Sequence, residues 1–129
     1  MFFLKNQKLA NIKFLRIMIL PILKLFNTEI KITHHYSFKR FHLMLWDHKG
    51  YWFYGKDREN SEMVFLNKII EKDFSILEIG AHIGYLTSFF EYKTDSSKSK
   101  NKVVVAEPSE KNIYFLKKNI SPNTQILKK

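Results

Sequence analysis

The residues best placed to do chemistry lie in two short stretches. In ILEIGAHIGYLT (76–87), Gly80 and Gly84 follow an apolar run directly, with Ala81, His82 and Ile83 between them. Glycines at the end of a strand let the backbone turn tightly and let a ligand approach where a Cβ would collide. Further on, Glu107 ends the apolar run of VVVAEP, 23 residues after Gly84. A carboxylate at the end of a second parallel strand faces a ribose and accepts from its two vicinal hydroxyls. Glycine turn plus acid points to a nucleoside-containing cofactor.

The dinucleotide fingerprint, G-x-G-x-x-G, needs a middle glycine that admits a pyrophosphate to a helix N-terminus. Here Ala81 and His82 stand where that reading wants a glycine and a tight turn, which disfavours NAD. Glu78, two residues before Gly80, would also set negative charge against a diphosphate. A cationic, phosphate-free ligand tolerates that acid better. S-adenosylmethionine, with a sulfonium, an amino group and a ribose, is such a ligand. Glu78 could alternatively cap the backbone that follows, and His82 could be a solvent-exposed side chain. Thr87 reads as support for the helix rather than a ligand contact.

Taken together, ILEIGAHIGYLT and VVVAEPSEKNIYFLKKNI resemble the opening of the FkbM family of S-adenosylmethionine-dependent methyltransferases. That family's pattern is an acid, any residue, Gly-Ala, Asn or His, a residue, Gly, an aromatic and Thr, then a strand ending in Glu-Pro and a helix ending in Lys-Asn-Ile. The resemblance implies cofactor-binding roles for Glu78, Gly80, Ala81, His82, Gly84 and Thr87, with Glu78 where Asp is more usual, and for Glu107 and Pro108 at the ribose-binding strand end. It covers roughly residues 50–129, and its lead-in, YWFYGKDRENSE, matches more loosely. The implied reaction is O-methylation of a sugar, glycan or small-molecule hydroxyl. No catalytic base is identified. The alternatives are an NAD-binding oxidoreductase fragment and a non-catalytic membrane-associated module.

The elements that must position these residues follow from hydrophobic periodicity. From Phe74 onward the order reads strand, glycine turn, helix, polar loop (KTDSSKSKNK), strand, acid, helix and an incipient strand at TQILKK. That alternation predicts an open parallel α/β sheet. The expected fold is a truncated Rossmann-like class I methyltransferase sheet, preceded by a helix and a β-hairpin. Leu86, Phe89 and Phe90 should face the sheet from the first helix, and Ile113, Leu116 and Ile120 from the second, which Ser109 caps and Pro122 ends. Upstream, NSEMVFLNKIIEK predicts a helix capped by Asn60 or Ser61 with Met63, Leu66 and Ile70 on one face. FHLMLWD and YWFYG, separated by HKG, predict a hairpin turning at Gly50. Residues 1–56 thus form a lead-in, and residues 57–129 the N-terminal part of the methyltransferase domain. A complete doubly wound sheet has about 5 to 7 strands, so the chain reads as a piece carrying half a cofactor site and inactive alone.

Composition bounds the rest. The 129 residues support one modest core, and 45% hydrophobic with 16% aromatic residues is a globular composition. The absence of cysteine excludes disulfide scaffolds and thiolate metal sites and fits a reducing compartment without fixing one; the expected placement is cytoplasmic, with a membrane-peripheral one as the variant. His34, His35, His42 and His48 lack a carboxylate at metal-ligand spacing, and no metal site is expected. The net charge of +10 divides as +7 over residues 1–60 and +3 over the remainder. No arginine-rich run or RNA-binding aromatic signature accompanies it, so no nucleic-acid partner is expected. Residues 1–27 mix apolar residues with Lys5, Lys8, Lys13, Arg16 and Lys24, and their longest apolar run, Ile17 to Leu23, is too short to span a bilayer. Packing on the domain is the favoured role for this segment, with peripheral membrane contact as the alternative.

Overall fold

The computed structural model describes residues 13–55, 59–96 and 102–127. Helix α1 (Lys13–Leu25) comes first, followed by an antiparallel hairpin of β1 (Glu29–Thr33) and β2 (Arg40–Met44), paired from Glu29↔Met44 to Thr33↔Arg40. A single helical turn, α2 (Lys49–Phe53), and helix α3 (Asn60–Ile69) lead into the α/β unit. That unit consists of β3 (Ile76–Ile79), α4 (Tyr85–Thr94), β4 (Val103–Ala106), α5 (Glu110–Asn119) and β5 (Gln125–Leu127). Its three strands are parallel in the order β3-β4-β5, each joined to the next through a helix. The parallel α/β expectation from Phe74 onward therefore holds as a small sheet with a separate hairpin.

Strand register explains which residues become core. Ile76 pairs with Val103 and Glu78 with Val105, and this face packs on the helices. Val103, Val105, Ala81, Phe89, Phe90 and Leu116 form a cluster with Met63 and Ile70, and Leu86, Ile120 and Ile126 pack against it. The alternate positions point the other way. Leu77 and Ile79 are 61% and 82% exposed, and Leu127 is exposed as well. Among the described residues, this second face of the sheet is left bare.

A second apolar cluster joins the hairpin to the α/β unit through Phe41, Leu43, Ile83, Tyr85 and Phe115. Buried polar groups fix this junction. The buried Asn119 side chain accepts from His42 N at 2.6 Å and donates to His42 O at 2.9 Å and Ile83 O at 2.8 Å, so one amide ties α5 to β2 and to the glycine turn. Glu91, buried on α4, accepts from Ser121 N at 2.6 Å and Thr124 Oγ1 at 2.5 Å, and pairs with Lys39 at 3.4 Å. The α5–β5 connection and the hairpin loop are thereby bound to one helix.

The hairpin is not the one the sequence suggested. The strand holding Phe41 to Met44 pairs backward with Glu29–Thr33, and Gly50 lies inside α2 rather than in a turn. Side chains that meet backbone groups favour the helical turn. Met44 N donates to His48 Nδ1 at 2.9 Å, and Trp52 Nε1 donates to Leu45 O at 2.7 Å, which folds the aromatic run back over the hairpin end. The proposed caps of α3 also differ: Glu59 holds the N-cap position without a capping hydrogen bond from its side chain, Asn60 is already helical, and the Ser61 hydroxyl donates to Glu62. The face of Met63, Leu66 and Ile70 does pack as expected. Ser109 caps α5, accepting from Asn112 N at 3.5 Å. Residues 1–12, half of the polar loop (97–101), part of the lead-in match (56–58) and the end of TQILKK (128–129) lie outside the described residues.

Candidate functional site

The glycine turn sits where β3 ends beside β4, at the carboxyl ends of the parallel strands. Gly80 N and Ala81 N both donate to Ala106 O, at 2.8 and 3.2 Å, so the turn continues the strand pairing by one step and then leaves it. Gly84 N closes the turn on Ala81 O at 2.8 Å, and α4 begins at the next residue. Three residues of the turn have left-handed backbones: Gly80 at φ +83°, His82 at +51° and Gly84 at +87°.

The two glycines serve different ends. A Cβ placed on Gly80 would meet nothing within 4 Å, so the turn presents open space there. At Gly84 a Cβ would come within 2.9 Å of Leu116 Cδ1 and 3.0 Å of Ile120 Cγ2. Gly84 is therefore required by the close approach of α5, and Gly80 alone has the geometry of a ligand-facing glycine. The sequence had assigned both to ligand approach. Ala81, 2% exposed, belongs to the core cluster.

Glu107, 9% exposed, is the hub of the turn. Its Oε2 accepts from His82 N at 2.8 Å, and its Oε1 accepts from Ser109 N at 3.0 Å and Asn112 Nδ2 at 3.0 Å. Burial pulls this carboxyl upward, but the hydrogen bonds from Ser109, Asn112 and His82 outweigh it and hold the group below the usual carboxylate range. A carboxylate has about four lone-pair sites and three are filled here, which leaves acceptor capacity on Oε2 for one more donor. The αL backbone of His82 is what turns its N–H toward the acid. Its ring is held in turn by Tyr51, whose hydroxyl lies 3.0 Å from Nδ1, and by the edge of His48 at a centroid distance of 5.4 Å.

Glu78 and Thr87 meet directly, with Thr87 Oγ1 donating to Glu78 Oε2 at 2.6 Å. Thr87 is fully buried in the first turn of α4, so the pair fastens the strand end to the helix start. Burial raises the Glu78 carboxyl above its ordinary range, and the Thr87 hydrogen bond offsets only part of that. Pro108 lines a cavity of about 800 Å³ that opens beside Glu107, with Ile113, Tyr114, Ile126 and Leu127 contributing its apolar walls.

All eight residues singled out in the sequence thus gather at or next to the carboxyl ends of β3 and β4. Exposed Gly80, half-buried His82 and buried Glu107 form the upper part of the turn, whereas Ala81, Gly84 and the Glu78–Thr87 pair build the support beneath it. Three supporting residues escaped sequence reasoning. Asn112 was legible as the third residue of a helix capped by Ser109, and Asn119 lay inside the quoted KKNI ending without an assigned role. Tyr51 carried no signal, since only the tertiary fold brings α2 to the turn. No group of three or more His, Asp or Glu residues that could hold a metal ion occurs among the described residues.

The open side of Gly80 and the spare acceptor site on Glu107 lie near the cavity that Pro108 lines, whose lining also includes Glu110, Lys117 and Lys118. Comparison of the chain with protein-family models, curated proteins and solved structures returned no match.

Proposed function

We propose that this chain contributes the ribose-binding half of an S-adenosylmethionine site in an FkbM-like methyltransferase acting on a sugar or small-molecule hydroxyl. The observation that carries the reading is Glu107, locked by three hydrogen bonds with acceptor capacity to spare, beside a glycine turn whose first glycine opens onto empty space. Glu107 accepts from one ribose hydroxyl through Oε2, Gly80 lets the cofactor approach the backbone, and Pro108 with the neighbouring apolar walls receives the base. The turn lacks the middle glycine that a pyrophosphate needs, which sets dinucleotides aside.

When bound, S-adenosylmethionine supplies a methyl group on a sulfonium. That methyl would pass to the acceptor hydroxyl, with S-adenosylhomocysteine as the leaving product and the hydroxyl proton taken up by a base. The chain's own part is alignment, with His82 N fixing the carboxylate that orients the ribose. Isothermal titration with S-adenosylhomocysteine and, separately, NAD tests the assignment. Heat is expected with the first alone, and Glu107→Ala should weaken that binding at least about tenfold, since hydrogen bonds to a charged group contribute about 1.5–3 kcal/mol. Binding of NAD in preference to S-adenosylhomocysteine overturns the reading.

A further inference from the structure

Helix α1 carries a feature that the methyl-transfer reading does not use. Ile17, Met18, Pro21, Ile22 and Leu25 are all exposed, and Phe26 just beyond the helix is exposed as well. At 3.6 residues per turn the five helical positions fall within about 140° of arc, forming one continuous apolar stripe. Ile19, Leu20 and Leu23 occupy the other side and are half-buried. None of the residues 17–25 joins either of the two apolar clusters. The apolar residues that in sequence surround the helix are therefore divided by the fold, and one side is left without cover among the described residues.

Charge identifies what would cover it. The first 28 residues contain Lys5, Lys8, Lys13, Arg16 and Lys24 and no acidic residue, the first acid being Glu29. Lys24 is exposed in the last turn of the helix. An apolar stripe in an exclusively basic segment matches the boundary between acyl chains and anionic headgroups. The longest uninterrupted apolar run, Ile17 to Leu23, is well short of the ~20 residues that span a bilayer, so the stripe would lie along the surface. Consistently, no described helix is long and apolar enough to cross a membrane.

We infer that α1 is an interfacial anchor, which seats its Ile17–Met18–Pro21–Ile22–Leu25 stripe in an anionic phospholipid surface. This reading stands independently of the cofactor assignment. Co-sedimentation of the full chain with vesicles of phosphatidylcholine, alone or mixed with phosphatidylglycerol, tests it. The mixed vesicles should capture the protein, the neutral ones should not, and added salt should weaken capture. The double substitution Ile22→Glu and Leu25→Glu removes two exposed apolar residues and should lower partitioning at least about tenfold, with an unchanged circular dichroism spectrum. Lys24→Glu, which leaves the apolar stripe intact, should lower it by a smaller factor. Three results would each overturn the inference: no capture by anionic vesicles, equal capture of the double variant, or lipid-free self-association abolished by the double variant. The last would assign the stripe to a second copy of the chain.

Discussion

Glycine at position 80 and glycine at position 84 look alike in sequence and carry different loads. Both have left-handed backbones, so an alanine at either incurs a conformational cost of about 1–2 kcal/mol. At Gly80 nothing further is added, because the space beside it is open. Gly84→Ala must also displace Leu116, which is fully buried, and overpacking of that kind adds about 1–3 kcal/mol. Chemical denaturation should rank the two variants accordingly, with Gly84→Ala the less stable; equal losses would show that the contact with α5 is not limiting. Glu78 presents a different balance. Its carboxyl is raised by burial, so the folded state binds its proton more tightly than the unfolded chain does, and stability is lost as pH rises above the ordinary Glu range. Glu78→Gln keeps an oxygen for the Thr87 hydroxyl and removes the buried charge. Its melting temperature at neutral pH should equal or exceed that of the wild type, and a clear drop would mean that the charge itself is needed to hold α4.

At the level of elements, α5 is the piece that makes a site out of a sheet. Its N-terminal turn supplies Ser109 N and Asn112 to Glu107, and its C-terminal Asn119 clamps β2 and the glycine turn. Removing the Asn119 amide strands the N–H and C=O of His42 and the carbonyl of Ile83 at a buried junction. Asn119→Ala is expected to cost about 2–4 kcal/mol, measured as the shift in urea midpoint at constant slope. A loss below about 0.5 kcal/mol would mean that water replaces the amide without penalty. The helix positions facing the sheet were legible in sequence because a 3.6-residue period survives any tertiary context. The hairpin was misplaced because short aromatic runs fit a strand or a helical turn equally well. What decided between them was the pairing of His48 with Met44 N and of Trp52 with Leu45 O, and neither contact has a sequence period.

Across the whole molecule, two buried histidines couple folding to pH. His34 Nδ1 accepts from Ser37 N at 3.0 Å while Nε2 donates to Tyr85 O at 3.0 Å, and His48 Nδ1 accepts from Met44 N at 2.9 Å. Each ring must therefore be neutral at the nitrogen that receives a backbone N–H. Both are held down at about 4, chiefly by burial: His35 and Lys39 add to it for His34 against the opposing bond to Tyr85 O, and His82 and Lys111 add to it for His48 against the opposing pull of Asp47. A depressed histidine stabilises the fold fully above its unfolded value near 6.5, and that contribution is lost as pH falls from there to about 4. Thermal melts should show the histidine contribution to stability declining between pH 6.5 and 4. A flat profile over that window would contradict the neutral assignment of both rings. The same histidines sit at the joint between the hairpin and the α/β unit, so acid should loosen that joint first.

The sequence by itself determined the order of strands and helices from Phe74 onward, the parallel character of the sheet and the cluster of eight candidate residues. Each of these follows from local periodicity, glycine placement and the spacing of acids, all of which are properties of neighbours along the chain. Only the tertiary structure separated the open Gly80 from the packed Gly84, brought Tyr51 to His82 and Asn119 to the turn, and left one side of α1 and one face of the sheet uncovered by the described residues. Those outcomes depend on which surfaces meet across 30 to 80 residues of chain, and no short-range pattern encodes such a meeting.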